Sequence, residues 1–147
     1  MKKEKNMEIK KVLPHREPFL FVDGITRQEY MKDVEGYRDI PGEEFWVPGH
    51  FPENPVYPGV LQLEMMAQIG GFIFAKEDGT MENGEFAYLS KVDDFKLRRK
   101  VKIGDHVVVK ATLLDGFPPY YKVRAVSTVA GRQVSEATIT YTFLKEL

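Results

Sequence analysis

Hydrophobic and polar residues change their period along the chain, and the change predicts where a helix gives way to strands. From Pro58 to Ala75 the sequence PGVLQLEMMAQIGGFIFA is apolar on nearly every side, the pattern of a helix surrounded by protein. Pro58 suits its first position, since the missing N–H would have had no partner there and φ is already set. Gly70 and Gly71 weaken helix propensity, which predicts another backbone passing close by. After Phe86 the pattern becomes that of strands: HVVVKATLL (106–114), YYKVRAVSTVA (120–130) and QVSEATITYTF (133–143), the last with Ala137, Ile139, Tyr141 and Phe143 at period two. GFPP and AGR between them are turns short enough for antiparallel hairpins. Upstream, residues 7–13 predict a short helix that ends before Pro14, FLFVDGI (19–25) predicts a strand, and the segment on to Ile40 predicts a second, more polar one. A helix this apolar does not lie in water. The expected architecture is α+β, an antiparallel sheet wrapped around one long central helix over about residues 58–75.

Length and charge narrow the function. The 147 residues fit one domain, 1–147, and roughly 70% of the unfolded chain's surface is available for burial at this size. With a formal net charge of -1, a broadly basic nucleic-acid binder is not indicated, so any charged partner must be met by a local patch. The absence of cysteine excludes disulfides, thiolate metal sites and cysteine nucleophiles. Three histidines, His15, His50 and His106, stand at no metal-ligand spacing, and no metal or cofactor is expected. The central apolar segment carries Gln62, Glu64 and Gln68, so it reads as a buried helix, not a membrane span. The basic N-terminus has no apolar segment behind it, and a cytoplasmic location is the expectation.

Candidate chemistry gathers at GHFPENPVYPGVLQLE, residues 49–64. Glu64 and Gln68 are spaced i, i+4 and share a helix face. Burial would raise the carboxyl pKa and keep a proton on Glu64 for donation, although a hydrogen bond to Gln68 or to a neighbouring subunit would equally account for it. His50 lies among Pro48, Pro52, Pro55 and Pro58, which stiffen its loop in the way a positioned base requires. At the helix start the amides of Gly59 and Val60 lack intrahelical acceptors, and Gly59 has no side chain to keep a carbonyl oxygen away. Proline and glycine are also simply good helix starters. Base, acid and oxyanion donor together suit removal of a proton α to a carbonyl with loss of a β-hydroxyl.

Two blocks, LPHREPFLFVD (13–23) and GHFPENPVYPGVLQLEMMAQ (49–68), with a weaker VDDFKLRRKVKIGD (92–105), resemble the (3R)-hydroxyacyl-[acyl-carrier-protein] dehydratases of the FabZ type, which have the hot-dog fold. The resemblance covers most of the chain. It implies that His50 is the base, Glu64 the acid and Gly59 the amide that polarises the thioester carbonyl. The related FabA enzymes usually have aspartate at the Glu64 position, which favours dehydration to the trans-2-enoyl thioester without isomerisation. It also implies a homodimer, commonly a trimer of dimers, with the histidine of one subunit working beside the acid of its neighbour. Glu53, Tyr57, Gly24, Lys100 and Ile103 depart from the usual residues, and Glu53 and Tyr57 are expected to bear on substrate choice.

An acyl chain requires an apolar tunnel. Val60, Met65 and Gln68 are candidate substrate contacts, together with Met66, Ile69 and Phe72 as walls, Tyr57 near the mouth and Tyr88 at a position where the family has an aromatic gate. If residues 95–103 are extended, Lys96, Arg98, Lys100 and Lys102 share one face and Phe95, Leu97, Val101 and Ile103 the other. Such a basic stripe suits an acidic acyl carrier protein or the phosphate of its pantetheine arm; a solvated strand face is the plainer account. Two alternatives remain open from the sequence: a hot-dog acyl thioesterase, and a noncatalytic module that binds acyl carrier.

Overall fold

A short helix, α1 (Ile9–Val12), ends before Pro14 as predicted; residues 7 and 8 of that expected helix lie outside the described part of the chain. The computed structural model describes residues 9–81 and 85–144. Strands β1 (Gly24–Glu29) and β2 (Asp33–Asp39) follow, then the central helix α2 (Gly59–Gly70), continued by a 3-10 turn at Gly71–Phe74. Four long strands complete the order: β3 (Phe86–Leu97), β4 (His106–Phe117), β5 (Tyr120–Val129) and β6 (Arg132–Leu144). Pro58 caps α2 with an extended ψ of 137°, and its carbonyl accepts from Leu61 and Gln62 N–H at 3.0 Å. It thus stands one residue before the first helical position predicted for it.

The strands form one 6-stranded antiparallel sheet in the order β1-β2-β4-β5-β6-β3. Consecutive hairpins account for β4, β5 and β6, with Ala130 (φ 51) and Gly131 (φ 78) making the predicted tight turn in left-handed backbone. The strand that leaves the helix, β3, is carried to the far edge beside β6. Alternation places Val107, Val109, Ala111, Val123, Ala125, Ala137, Ile139 and Tyr141 in the core, where they cover Met65, Met66, Ile69 and Phe72. No helix among the described residues is long and apolar enough to cross a membrane.

Two expectations change. The strand predicted over 19–25 begins only at Gly24, because its first part is paired with a side chain instead of a strand. The Gln68 amide accepts from Phe21 N–H at 2.8 Å and donates to the Phe19 carbonyl at 3.0 Å, taking the place of a neighbouring peptide. The close neighbour predicted for the paired glycines is likewise a side chain, not a backbone. Tyr141 donates its hydroxyl to the Ala67 carbonyl at 2.6 Å, and a Cβ on Gly70 would meet that oxygen at 2.5 Å, whereas Gly71 has only ordinary contacts. Burial raises the Tyr141 pKa, with the nearby Glu64 carboxylate adding to it, so the phenol remains a donor.

Replacing Gly70 by alanine improves helix propensity by about 1 kcal/mol, but overpacking typically costs about 1–3 kcal/mol. Gly70→Ala is therefore expected to destabilise the protein in urea unfolding, and the same change in a Tyr141→Phe background to be neutral or stabilising, because the obstructing oxygen is gone. A stabilising Gly70→Ala in the wild-type background would show that this contact does not constrain the helix.

Candidate active site

The loop from Ile40 to Pro58 leaves β2 and delivers the chain to α2, and His50 is held near its middle by three bonds. Its N–H donates to the Trp46 carbonyl at 2.9 Å, and its own carbonyl accepts from Val56 N–H at 2.8 Å. Its ring Nδ1 lies 2.9 Å from the Val56 carbonyl. A carbonyl oxygen only accepts, so Nδ1 carries the hydrogen and Nε2 of the neutral ring keeps its lone pair. Phe51, itself exposed, stacks on the imidazole with centroids 4.3 Å apart. The ring is thus oriented through Nδ1 and stacked on one face, in a residue that is half-buried.

Glu64 projects from the second turn of α2, and its side chain is 24% exposed, less dry than the sequence predicted. Its Oε2 accepts from Gln68 Nε2 at 2.9 Å and faces His15 Nε2 at 3.3 Å. Gln68 is fixed in turn by the backbone of Phe19 and Phe21, so a fully buried amide aims one carboxylate oxygen and leaves Oε1 without a partner among the described residues. Glu64 and His15 line a groove of about 610 Å³ with Pro14, Phe86, Ala87, Tyr88, Leu89 and Leu144. His50 is not among the residues lining it. The imidazole beside the Glu64 carboxylate within one chain is His15, whose Nδ1 is buried without a hydrogen-bond partner among the described residues. Sequence reasoning missed it: LPHREPFLFVD was read as a block, and the contact across to α2 has no periodic signature.

At the start of α2 no side chain caps the helix, so the Gly59 amide retains its donor. A Cβ on Gly59 would lie 2.3 Å from Leu97 Cδ1; the space kept free by the glycine is occupied by an apolar side chain that is itself half exposed. Val60 is 72% exposed beside it, and Tyr88 opens onto the groove.

The other predicted contacts do not line the groove at Glu64. Met65, Met66, Ile69 and Phe72 are fully buried in the core of the chain, because α2 is covered on these faces by its own sheet. Gln68 is buried with its amide bonds made to Phe19, Phe21 and Glu64, and it lines a small cavity of about 30 Å³ with Glu64 and His15. Tyr57, expected at the tunnel mouth, is 1% exposed; its hydroxyl accepts from Arg38 at 3.2 Å and its ring meets Trp46 edge-on. The basic stripe is not one face of a strand, for β3 stops at Leu97 after a register shift around Asp94, which has a φ of 51°. Leu97 and Ile103 are exposed and only Val101 is buried. Arg98 is spent on Glu136, a carboxylate shared with Arg124 and Gln133; first Arg98's hydrogen bond and then the neighbouring charges hold the Glu136 pKa below its ordinary value. Lys96, Lys100 and Lys102 remain exposed with no ion pair among the described residues, and Lys102 bridges to Val56 beside the start of α2. Among the described residues no group of three or more His, Asp or Glu could hold a metal ion.

Comparison with known proteins gives a consistent result. The family model for a FabA-like domain matches residues 13–138. A 3-hydroxyacyl-[acyl-carrier-protein] dehydratase FabZ of Clostridium botulinum is 42% identical over 91% of this chain and 92% of its own, and a FabZ of Erwinia tasmaniensis is 37% identical over 90% and 87%. A solved dehydratase heterocomplex, ApeI:P from Xenorhabdus doucetiae, superposes with a TM-score of 0.79 at 13% identity, covering 97% of this chain and 94% of that one. At that identity the likeness speaks for the fold alone.

The Tyr57 environment has a measurable consequence. Burial raises its pKa from 10.0 to about 12, against the opposing pull of Arg38. A phenol whose folded pKa is raised contributes stability that is present in full below pH 10 and is lost as pH climbs towards 12. Wild type should therefore lose roughly 2–3 kcal/mol more than Tyr57→Phe across that interval in denaturant titrations; parallel losses would contradict the assignment.

Proposed function

The chain belongs to the FabA-like domain family, and from that premise we propose that its sites and partners are those of a 3-hydroxyacyl-[acyl-carrier-protein] dehydratase. It is a hydro-lyase: water leaves a (3R)-3-hydroxyacyl thioester to give the trans-2-enoyl thioester in acyl-chain synthesis. The observation that carries the residue assignment is the fixed tautomer of His50, with Nδ1 donating to Val56 and Nε2 free to accept.

In this mechanism Nε2 of His50 removes the α-proton, and the electron pair moves toward the thioester oxygen, where the Gly59 N–H stabilises the developing charge. Glu64 gives a proton from Oε1 to the β-hydroxyl, which departs as water while the C2–C3 double bond forms. The proton held on His50 then returns to Glu64 through solvent, restoring both groups. That His50 does not line the groove at Glu64 supports taking the base from a second copy of the chain, in a homodimer with two composite sites. Strand β3, whose Phe86 and Tyr88 line the groove, is the edge of the sheet and is available for pairing with that copy. The acyl chain would lie along this groove, with Tyr88 at its border. The acyl carrier protein would meet Lys96, Lys100 and Lys102, which are exposed, with Lys102 bridged to Val56 beside the helix start.

Two measurements test these assignments. His50→Ala and Glu64→Gln should each lower enoyl formation by roughly 100- to 10,000-fold, the scale of general acid–base catalysis, with the circular dichroism spectrum unchanged. Undiminished turnover in either variant removes that residue from the reaction, and thiol release without an enoyl product would mark thioester hydrolysis instead. Changing Lys96, Lys100 and Lys102 together to alanine should raise KM several-fold for a carrier-protein substrate at low salt and leave the matching CoA ester unaffected. An equal effect on both substrates would exclude docking of the carrier at this surface.

A further inference from the structure

We propose that the buried Arg38–Glu44 ion pair is the device that positions His50, holding both anchors of its imidazole from beneath the loop. The inference rests on the reading of His50 as the proton acceptor. Among the described residues, two carbonyls accept hydrogen bonds from His50: Trp46, which receives its N–H, and Val56, which receives Nδ1–H. Each is tied to the same ion pair. Trp46 Nε1 donates to Glu44 Oε1 at 2.7 Å, and Arg38 donates to the hydroxyl of Tyr57, the residue after Val56, at 3.2 Å. The two rings close the circuit at 5.3 Å, edge to face. Arg38 bonds both Glu44 oxygens and lies over the Phe21 ring at 4.9 Å, so strand β2 supplies a rigid floor for an otherwise irregular loop.

The energetics favour a geometric role over a stabilising one. The Arg38 side chain is only 6% exposed and that of Glu44 15%, so both charges are largely stripped of water. Burial opposes the Arg38 charge, and the bonds and fields of Glu44 and Tyr57 outweigh it. Pairs of this kind are often no more stabilising than apolar residues of equal volume. What apolar residues lack is direction. A fork that grips a carboxylate and a phenol at fixed angles sets the separation of the Trp46 and Val56 carbonyls, and with it the tilt of the imidazole. Arg38 and Glu44 are positioning residues; neither lines the groove at Glu64.

The full-length enzyme can test this through variants at each link. Arg38→Met should lower kcat by about 10- to 100-fold, the penalty of misplacing a reacting group by an ångström, while KM stays within about twofold. The nitrogen chemical shifts of the His50 ring should change from a single Nδ1–H tautomer to a mixture. Arg38→Lys should recover part of both. If Arg38→Met does not fold, Trp46→Phe and Tyr57→Phe each remove one link without removing a ring, and both should lower kcat and blur the tautomer. Folded variants with wild-type kcat and an unchanged ring signal would overturn the proposal. So would a kcat loss that follows melting temperature alone with the tautomer intact. Should His50→Ala prove fully active, the reading of His50 as base fails, and the ring signal still decides whether the ion pair positions it.

Discussion

Everything in this fold follows from the need to keep α2 out of water. A helix that is apolar on nearly all sides must be covered on nearly all sides, and a single curved sheet does this by presenting one alternating face along β2, β4, β5 and β6. Coverage is complete from Met65 onward and incomplete over the first turn, where Gly59 is partly and Val60 largely exposed. Polar chemistry is consequently confined to the N-terminal part of the helix. That is also where unpaired amides and the positive end of the helix dipole are found. The hydrophobic constraint and the catalytic geometry are therefore the same constraint seen from two ends of one helix.

Gln68 joins the two. One buried side chain completes the backbone bonding of Phe19–Phe21, pins the N-terminal segment to α2, and orients the Glu64 carboxylate one turn away. An amide buried this deeply must satisfy all its groups, so it tolerates one orientation only. The carboxylate inherits that precision. His15 reaches the same carboxylate because the segment that Gln68 holds in place also carries His15.

Periodicity made the helix, the four C-terminal strands and their hairpins readable before any coordinates, since burial on one face or on all faces writes directly into residue spacing. Motif chemistry made His50, Gly59 and Glu64 readable as candidates. What spacing did not convey were contacts in which a side chain replaces a backbone. Phe19–Val22 has strand composition outside any strand, its backbone bonded in part by Gln68, and Gly70 makes room for a phenol. Tyr57 and Met65 were read as pocket residues because apolar composition does not distinguish a wall from a core. The basic stripe failed for a local reason, the left-handed Asp94, which shifts the register and breaks the alternation just before Leu97.

The chemistry places a demand on the fold that one chain does not meet by itself. Elimination across adjacent carbons requires base and acid to approach the same substrate within a few ångströms of its two reacting carbons. Here Glu64, the proposed acid, opens into a groove beside an edge strand, and His50, the proposed base, is held in a loop that does not line that groove. Bringing the loop nearer would require unpacking Trp46 and Tyr57 from β2, where Arg38 and Glu44 hold them. A loop anchored firmly enough to orient an imidazole does not also reach that groove, which is why the proposed site draws its base from a second copy.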